Sequence, residues 1–350
     1  MLDCDTAPVR PGEELDVQAL TEWLQGRIDG VERGIAVKQF SSGHSNLTYL
    51  LKINGCEYVL RRGPLGPVAP KAHDMAREFH VLQMVHPHFP EAPAVFHLCE
   101  NPGVIGAVFF IMERRHGLIL RDQVPPRLAG TPNYSQQISE ALVDCLVRMH
   151  AIDVAKTGLI VLGKPSGFLE RQVQGWADRW NRAKTDDQPN MNDVIHWLGD
   201  RIPVSPSPTL VHNDYKLDNV MICADSEIRI EAVLDWEMTT IGDPLADVGL
   251  TLCYWAWAPQ IHTRAAPAIT SSSGWYNRDQ FVQRYAEKSG RDLTNVGYYE
   301  VLGIFKLAAI LQQIYYRFRR GQTQDPRFQN FGESVRSLAD LASSLAARLN

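Results

Sequence analysis

The stretch LVHNDYKLDNVMI, residues 210–222, places a histidine, two aspartates, a lysine and an asparagine between short apolar runs. The apolar residues predict a buried strand, and the polar groups fall on the turn that follows it. Three kinds of chemistry could use them. A metal site or a catalytic triad could use His212 and Asp214, whereas phosphoryl transfer could use Asp214 with Asn219.

Two of these chemistries have no further support in the chain. A zinc site needs three or four close ligands, but His212 has no H-x-x-x-H or C-x-x-C partner. A serine triad on a nucleophile elbow needs a G-x-S-x-G turn, which the sequence lacks. A satisfied polar turn without chemistry remains the alternative for His212 and Asp214 taken alone.

Composition describes an ordinary globular chain. Its 350 residues, 45% hydrophobic and 21% charged, are enough for about two domains or lobes. The formal net charge of −5 offers no basic footprint, so no nucleic-acid partner is expected. Six scattered cysteines without a C-x-x-C pair are typical of reduced thiols. We expect a cytoplasmic protein, and composition does not address its oligomeric state.

No segment suggests a membrane protein. The start, MLDCDTAPVRPGEELD (1–16), is acidic and lacks the apolar centre of a secretory signal. No apolar run approaches the ~18 residues that spanning a bilayer requires. The run AVFFIM (107–112) is short and predicts a buried strand. We therefore expect no membrane partner.

The first third of the chain is rich in β-forming residues. ELDVQALTEWLQGRI (14–28) and HDMAREFHVLQMV (73–85) have apolar residues at helical spacing. Between them, the dipeptide Asn54-Gly55 is a strong hairpin signal. The predicted strands here are IAVKQF (35–40), NLTYLLKI (46–53) and CEYVLRR (56–62).

From about residue 135 the chain is mainly helical. Two β-type segments, TLVHND (209–214) and EAVLDWE (231–237), interrupt the helices. The outline predicts a small β-rich lobe followed by a larger helical lobe. The helical runs are 135–152, 167–184, 191–202 and about 294–320.

An ordered set of polar residues favours phosphoryl transfer. That reaction needs a carboxylate near the acceptor hydroxyl, oxygen ligands for Mg²⁺, a cation at the phosphates and an acid that orients the cation. Kinases supply these groups in a fixed order, including the spacing D-x-x-x-x-N. The same order occurs here as Arg61, Glu78, Asp214, Asn219 and Asp235. Each residue alone is a weak signal, but the ordered set is strong.

From about residue 35 to 255 the chain resembles the aminoglycoside phosphotransferase-like family of small-molecule kinases. The resemblance is closest to the branch that also occurs fused to acyl-CoA dehydrogenases, and it rests on SSGHSNLTYLL, YVLRR, LVHNDYKLDNVM and VLDWEMTTIGDPLADVG. It implies a bilobal, protein-kinase-like α+β fold. Residues 1–113 would form a small antiparallel β-rich nucleotide-binding lobe, and 114–350 a larger helical lobe with the catalytic and acceptor-binding residues.

The resemblance implies a role for each matching polar residue of the second lobe. Asp214 corresponds to the catalytic base, and Lys216 to a lysine that contacts the transferring phosphate. Asn219 and Asp235 correspond to the Mg²⁺ ligands, as hard oxygen donors for a hard cation. Asp247 is expected to anchor the catalytic loop.

The ATP site is expected in the first lobe. Arg61 would contact the phosphates with Glu78 as its ion-pair partner. Arg62 remains an alternative, because a one-residue shift in a strand exchanges its two faces. Val59 shares a strand face with Arg61 and would lie above the adenine. The backbone of Met112 and Glu113 would bind adenine, and the loop with Ser42, Gly43 and Ser45 would cover the phosphates.

The chain departs from the family pattern at several places. The phosphate loop lacks G-x-G-x-x-G, arginine replaces the usual lysine, Asn213 stands where glycine is more common, and Asp235-Trp236-Glu237 replaces D-F-G. The weakened nucleotide site motivates an alternative, a nucleotide-binding pseudoenzyme that acts as a regulator or scaffold. No A-P-E segment follows, which argues against a protein substrate.

The expected reaction is therefore an ATP- and Mg²⁺-dependent transfer to the hydroxyl of a small molecule. Aminoglycosides are polycations and favour an acidic pocket, but the helical inserts mix both charges with tryptophans. Resemblance to the acyl-CoA dehydrogenase-linked branch favours a hydroxy-acid or hydroxyacyl acceptor.

Overall fold

The computed structural model describes residues 5–40, 46–64, 74–121, 123–186, 188–225, 227–255, 268–323 and 325–349. The chain forms two compact units. The first comprises Met1–His116 with Glu231–Glu237, and the second comprises Gly117–Ile230 with Met238–Asn350. The later segment that groups with the first unit carries Asp235.

The first unit is built on an antiparallel sheet in the order β1-β2-β3-β4-β6-β5. Asn54 and Gly55 form the turn between β3 and β4 with φ of 49° and 82°, as the hairpin signal predicted. The strands are β1 (Thr6–Ala7), β2 (Ile35–Phe40), β3 (Leu47–Ile53), β4 (Cys56–Arg62), β5 (Val95–Cys99) and β6 (Phe109–Glu113).

Each face of this sheet is covered by a helix. Helix α1 (Val17–Leu24) contributes Leu20 and Leu24 to a core with the inward residues of β3, β4 and β6. Helix α2 (Met75–Val85) packs on the other face, where Phe79 meets Phe110 edge to face at 6.1 Å. The alternation of side chains along β4 directs Val59 and Arg61 toward this second face.

Both helices begin at an aspartate. Asp16 and Asp74 lie at the N-caps of α1 and α2, and their carboxylates accept hydrogen bonds from Ala19 and Arg77 at 2.9 Å each. Such caps satisfy amide groups that have no partner inside the helix. The helices therefore start later than the sequence periodicity predicted, at Val17 and Met75.

The second unit is mainly helical, as predicted. Its longest helix, α9, packs against α5, α6, α7 and α10. The helices are α3 (Pro126–Ala129), α4 (Tyr134–His150), α5 (Phe168–Ala183), α6 (Pro189–Asp200), α7 (Leu245–Tyr254), α8 (Arg278–Ser289), α9 (Val296–Arg319) and α10 (Phe331–Arg348).

Two short strand pairs frame the polar turns that the sequence singled out. β7 (Thr209–Val211) pairs with β10 (Thr240–Gly242), and β8 (Val220–Cys223) pairs with β9 (Arg229–Val233). Residues 212–219 leave β7 and enter β8, so a strand fixes each end of that loop. Within the described part of the chain, no helix has both the length and the apolar character needed to cross a bilayer.

Candidate active site

The backbone of the loop of residues 212–219 is hydrogen-bonded to Asp247 of α7. Its carboxylate accepts hydrogen bonds from the backbone N–H of His212 at 2.7 Å and of Asn213 at 2.6 Å, and His150 Nε2 lies 3.2 Å from it. Burial alone would raise the pKa of the Asp247 carboxyl, but the contacts with His150 and His212 hold that pKa below its usual range. Asp247 thus anchors the loop, as expected.

Asp214 lies at the centre of this loop with its carboxylate between two side chains. Asn219 Nδ2 donates to Asp214 Oδ2 at 2.7 Å, and Lys216 Nζ lies 3.1 Å from the same oxygen. The backbone N–H of Asp214 donates to His212 Nδ1 at 3.2 Å, so His212 holds the backbone here. The structure therefore brings Asp214, Lys216 and Asn219 together.

The amide of Asn219 has its nitrogen committed to Asp214. Nδ2 donates to both the carboxylate and the main-chain oxygen of Asp214, the latter at 2.9 Å. The amide oxygen is then the atom that could ligate a cation, and oxygen is the donor that Mg²⁺ prefers. The amide oxygen could therefore hold a cation, which is the role that the resemblance implies for Asn219.

The ammonium group of Lys216 lies over the ring of Tyr254, a residue that the sequence analysis did not single out. Its Nζ lies 4.9 Å from the ring centroid of Tyr254, at the end of α7. Burial opposes the charge of Lys216, but Tyr254 and Asp214 more than offset it, so the pKa of the ammonium group is raised. Lys216 therefore keeps a positive charge beside Asp214.

The first unit contains Arg61, the predicted phosphate-binding cation, and Glu78, its predicted ion-pair partner. Arg61 Nε donates to Glu78 at 2.9 Å, and Arg61 also pairs with Asp235. Burial works against the Arg61 charge, but these carboxylates raise its pKa above the ordinary value. Arg62 points to the other face of the sheet and donates to the carbonyl of Ile105 at 2.8 Å. Arg61 is thus the arginine that Glu78 orients.

A cluster of carboxylates surrounds Arg61. One oxygen from each of Glu78, Asp235 and Glu237 lies within 4.8 Å of the others. Glu237 was not predicted, and its signal was a carboxylate two residues after Asp235. Asn46 donates to Glu237 at 3.1 Å. Asp235 and Glu237 offer hard oxygen donors that fit a divalent cation.

Burial and backbone geometry shape this cluster. Burial raises the pKa of Glu78, and the Arg61 guanidinium beside it acts in the opposite direction. Asp235 adopts a left-handed backbone with φ of 67°, a conformation that is uncommon in residues other than glycine but is enriched in aspartate and asparagine. Trp236, buried against Phe89 with ring centroids 5.9 Å apart, holds the turn that follows Asp235.

The residues expected around adenine lie in the sheet. Val59 of β4 pairs with Met112 of β6, and both side chains are buried. The N–H of Glu113 donates to Ala94 O at 2.8 Å, so the sheet already uses that group. The main-chain N–H of Glu113 is therefore not available for the adenine contact that the resemblance implied. The predicted phosphate-loop residues Ser42, Gly43 and Ser45 lie outside the described residues.

Lys306 is a further polar residue that sequence reasoning missed. It lies in α9, is only 6% exposed, and its Nζ donates to the carbonyl of Asn213 at 2.6 Å. The sequence showed it only as one lysine within a long helical run.

Comparison with known proteins identifies the family. Residues 36–281 match the family described as phosphotransferase enzyme family. Among curated proteins, the chain is 32% identical over 98% of its length to acyl-CoA dehydrogenase family member 10 of Mus musculus. The chain spans only 32% of that relative.

Solved structures show the fold. A Ralstonia eutropha JMP134 protein assigned as an aminoglycoside phosphotransferase matches with a TM-score of 0.80 at 29% identity, over 96% of this chain and 99% of that one. A thermostable mutant of aminoglycoside phosphotransferase APH(4)-Ia, solved with AMP-PNP and hygromycin B, matches at 0.61 and 16% identity, over 94% and 99%. The chain therefore belongs to the phosphotransferase enzyme family, with likeness to the acyl-CoA dehydrogenase-linked branch and the bilobal, kinase-like α+β fold that its motifs predicted.

Proposed function

We propose that the chain is an ATP- and Mg²⁺-dependent phosphotransferase that moves the γ-phosphoryl group to a hydroxyl of a small molecule. The observation that carries this proposal is the set of contacts that hold the Asp214 carboxylate. Its carboxylate is held by Asn219 and Lys216 on a loop whose backbone Asp247 anchors. A chain that only needed a stable turn would not require this arrangement, and kinase-type phosphoryl transfer uses each part of it.

The polar residues of the loop 212–219, with two later carboxylates, take the steps at the acceptor. Asp214 accepts the hydroxyl proton as the acceptor oxygen attacks the γ-phosphorus, the bond to the bridging oxygen breaks and ADP leaves, and Lys216 compensates charge on the transferring group. Asn219 and Asp235 would hold Mg²⁺, with Glu237 as a further oxygen donor. When bound, the metal neutralises phosphate charge and orients the transferring group.

The residues of the first unit take the steps at the nucleotide. Arg61, oriented by Glu78, contacts the phosphates through a planar guanidinium that can make two parallel hydrogen bonds. Val59 supplies apolar contact to adenine, and the backbone contact of Met112 with adenine stays a prediction. The roles of Glu113, through its carbonyl or side chain, and of Ser42, Gly43 and Ser45 stay predictions.

The acceptor we propose is a hydroxy acid or hydroxyacyl compound. The name of the mouse relative, acyl-CoA dehydrogenase family member 10, supports an acyl substrate. The mild overall charge of −5 fits a polycationic acceptor such as an aminoglycoside less well.

A nucleotide-binding scaffold without chemistry is the second candidate. One observation favours it, since Asp235 pairs with Arg61 and this ion pair competes with metal binding by the same carboxylate. The two candidates differ in whether any acceptor becomes phosphorylated.

An acceptor screen tests the proposal. The protein is incubated with ATP, Mg²⁺ and sets of hydroxy acids, hydroxyacyl-CoA esters, amino alcohols and aminoglycosides, and the product is identified by mass. Asp214→Asn should lower kcat by about 10²–10⁴-fold, the usual contribution of a positioned base, with ATP binding unchanged. Asp279→Asn, an exposed carboxylate of α8, is the control. Nucleotide binding without any phosphorylated acceptor would favour the scaffold.

A further inference from the structure

Lys306 places a positive charge in the interior of the second unit, beneath the catalytic loop. The side chain is 6% exposed, and its Nζ donates to the carbonyl of Asn213 at 2.6 Å. The ring of Trp176 lies 5.6 Å from the same nitrogen. Burying a charge is costly unless it is hydrogen-bonded or paired. An apolar residue could fill the same space without the free-energy cost of burying a charge. We therefore infer that the lysine is present for its charge and its hydrogen bond.

The residue that Lys306 holds is the one immediately before the catalytic base. Asn213 has a left-handed backbone with φ of 65°, a conformation that asparagine tolerates better than most residues. Three contacts hold it here. Its N–H donates to Asp247 at 2.6 Å, its side chain donates to the carbonyl of Met238 at 3.0 Å, and its carbonyl accepts from Lys306.

The charges around Lys306 come from two elements. Asp214 and Lys216 act on it from the catalytic loop, and Asp247 and the Cys253 thiol act on it from α7. Burial lowers the pKa of Lys306 to about 8, although the carboxylates oppose this fall. Lys306 is therefore charged at neutral pH and begins to lose its proton just above it.

We propose that Lys306 is a positioning residue that fixes the left-handed turn at Asn213 and thereby aims the Asp214 carboxylate at the acceptor hydroxyl. The inference rests on the proposed phosphotransferase function. The Asp247 carboxylate accepts hydrogen bonds from two N–H groups of the loop, and the Lys306 ammonium group donates one to the carbonyl of Asn213. With both in place, the peptide between Asn213 and Asp214 cannot rotate freely.

Helix α9 offers a matched control. Gln312 is also buried on α9, at 3% exposure, and it donates to a main-chain carbonyl, that of Ala183, at 2.7 Å. Lys306→Met and Gln312→Met each remove one buried donor from the same helix. Only the first touches the catalytic loop, so a difference between the two variants reports on the loop.

The kinetic test compares these variants with wild type. Lys306→Met should lower kcat by about 10²-fold, as expected for a misplaced catalytic group, and leave the KM for ATP unchanged. Gln312→Met should leave both unchanged. The wild-type kcat should fall as pH rises through about 8, and Lys306→Arg, which keeps its charge, should retain kcat to higher pH. Equal kcat in wild type and Lys306→Met would overturn the proposal.

A second measurement is independent of phosphoryl transfer. Hydrogen exchange of the peptide covering 210–222 reports whether the His212 and Asn213 amides stay bonded to Asp247. Lys306→Met should speed this exchange and Gln312→Met should not. If wild type phosphorylates no acceptor, the proposed function fails, and this exchange still decides the role of Lys306. Equal protection in wild type and Lys306→Met refutes that role.

Discussion

Arg61 and Arg62 are neighbours in β4 whose side chains lie on opposite faces of one sheet. Arg61 reaches Glu78 and Asp235, whereas Arg62 is buried against the carbonyl of Ile105. The alternation of a strand separates the two roles completely. One arginine serves the proposed nucleotide site, and the other satisfies a backbone oxygen in the interior.

This separation predicts opposite effects for two similar substitutions. Arg61→Met should weaken ATP binding by about one to two orders of magnitude, because a hydrogen bond to a charged group contributes about 1.5–3 kcal/mol. Arg62→Met should leave ATP affinity unchanged and lower stability by about 1–3 kcal/mol, because Ile105 O loses its donor. Calorimetric titration and urea unfolding measure the two effects. An equal loss of ATP affinity in both variants would contradict the assignment.

The titration of Lys306 predicts opposite pH trends for stability and activity. The unfolded chain holds this proton to about the ordinary value of 10.5, whereas the folded chain releases it near 8. Between about pH 8 and pH 10.5 the chain therefore takes up a proton when it unfolds. Over that range, the free energy of unfolding of wild type rises relative to that of Lys306→Met as pH increases. Urea unfolding of both proteins across that range measures the difference. A relative fall in wild-type stability would contradict it.

Contacts between polar residues were predictable where order along the chain encodes them. The pairing of Arg61 with Glu78 and the proximity of Asp214 and Asn219 follow from that order, because each motif is local and its partner is a neighbouring motif. Lys306 was not predictable, since it lies 93 positions from Asn213 and resembles any lysine of an amphipathic helix.

At the scale of elements, the second unit depends on a close approach of α7 and α9. Gly249 of α7 faces the backbone of Tyr299 in α9, and an added Cβ would lie 2.3 Å from its carbonyl oxygen. Gly303 of α9 leaves similar room for Cys253. Because Asp247 belongs to α7 and Lys306 to α9, this contact fixes both groups that hold the loop of residues 212–219.

Two alanine substitutions test this contact. Gly249→Ala should destabilise the protein by about 1–3 kcal/mol through overpacking. Gly199→Ala in α6, where an added Cβ meets no atom within 4 Å, should instead stabilise it by about 0.5–1 kcal/mol through helix propensity. Thermal unfolding measures both. Matching effects of the two changes would show that the helices do not need the glycine.

Elements with a clear local signal were easier to predict than the others, and the 18-residue helix α10 was not among the predicted helical runs. The hairpin at Asn54-Gly55 and helix α9 have clear local signals, a turn dipeptide and a sustained helical period. Strands β5 and β10 were missed because they are too short to show a clear alternation, with five residues in the edge strand β5 and three in β10. Helix starts shifted by a few residues, since the caps Asp16 and Asp74 fix them and periodicity does not.

At the scale of the whole molecule, family membership and fold are settled, while the acceptor depends on details that the sequence does not encode locally. The helical inserts carry both positive and negative residues, so their charge does not favour one class of acceptor. The chain spans 32% of its mouse relative, so the name of that relative covers much more than this chain. The donor side is simpler to test, because nucleotide and metal are common to kinase chemistry.

Thermal stabilisation by ATP, measured with and without Mg²⁺, tests the proposed phosphotransferase site. A ligand that binds only the folded state stabilises it, by about 2.7 kcal/mol at one hundred times its Kd. Asp235→Asn is the informative variant, since asparagine tolerates the left-handed backbone at φ of 67°. Asp29→Asn, an exposed carboxylate of the first unit, is the control. We predict a rise in Tm that requires Mg²⁺, persists in Asp29→Asn and is lost in Asp235→Asn. No shift with ATP, or one indifferent to Mg²⁺ and to Asp235, would contradict the phosphotransferase site.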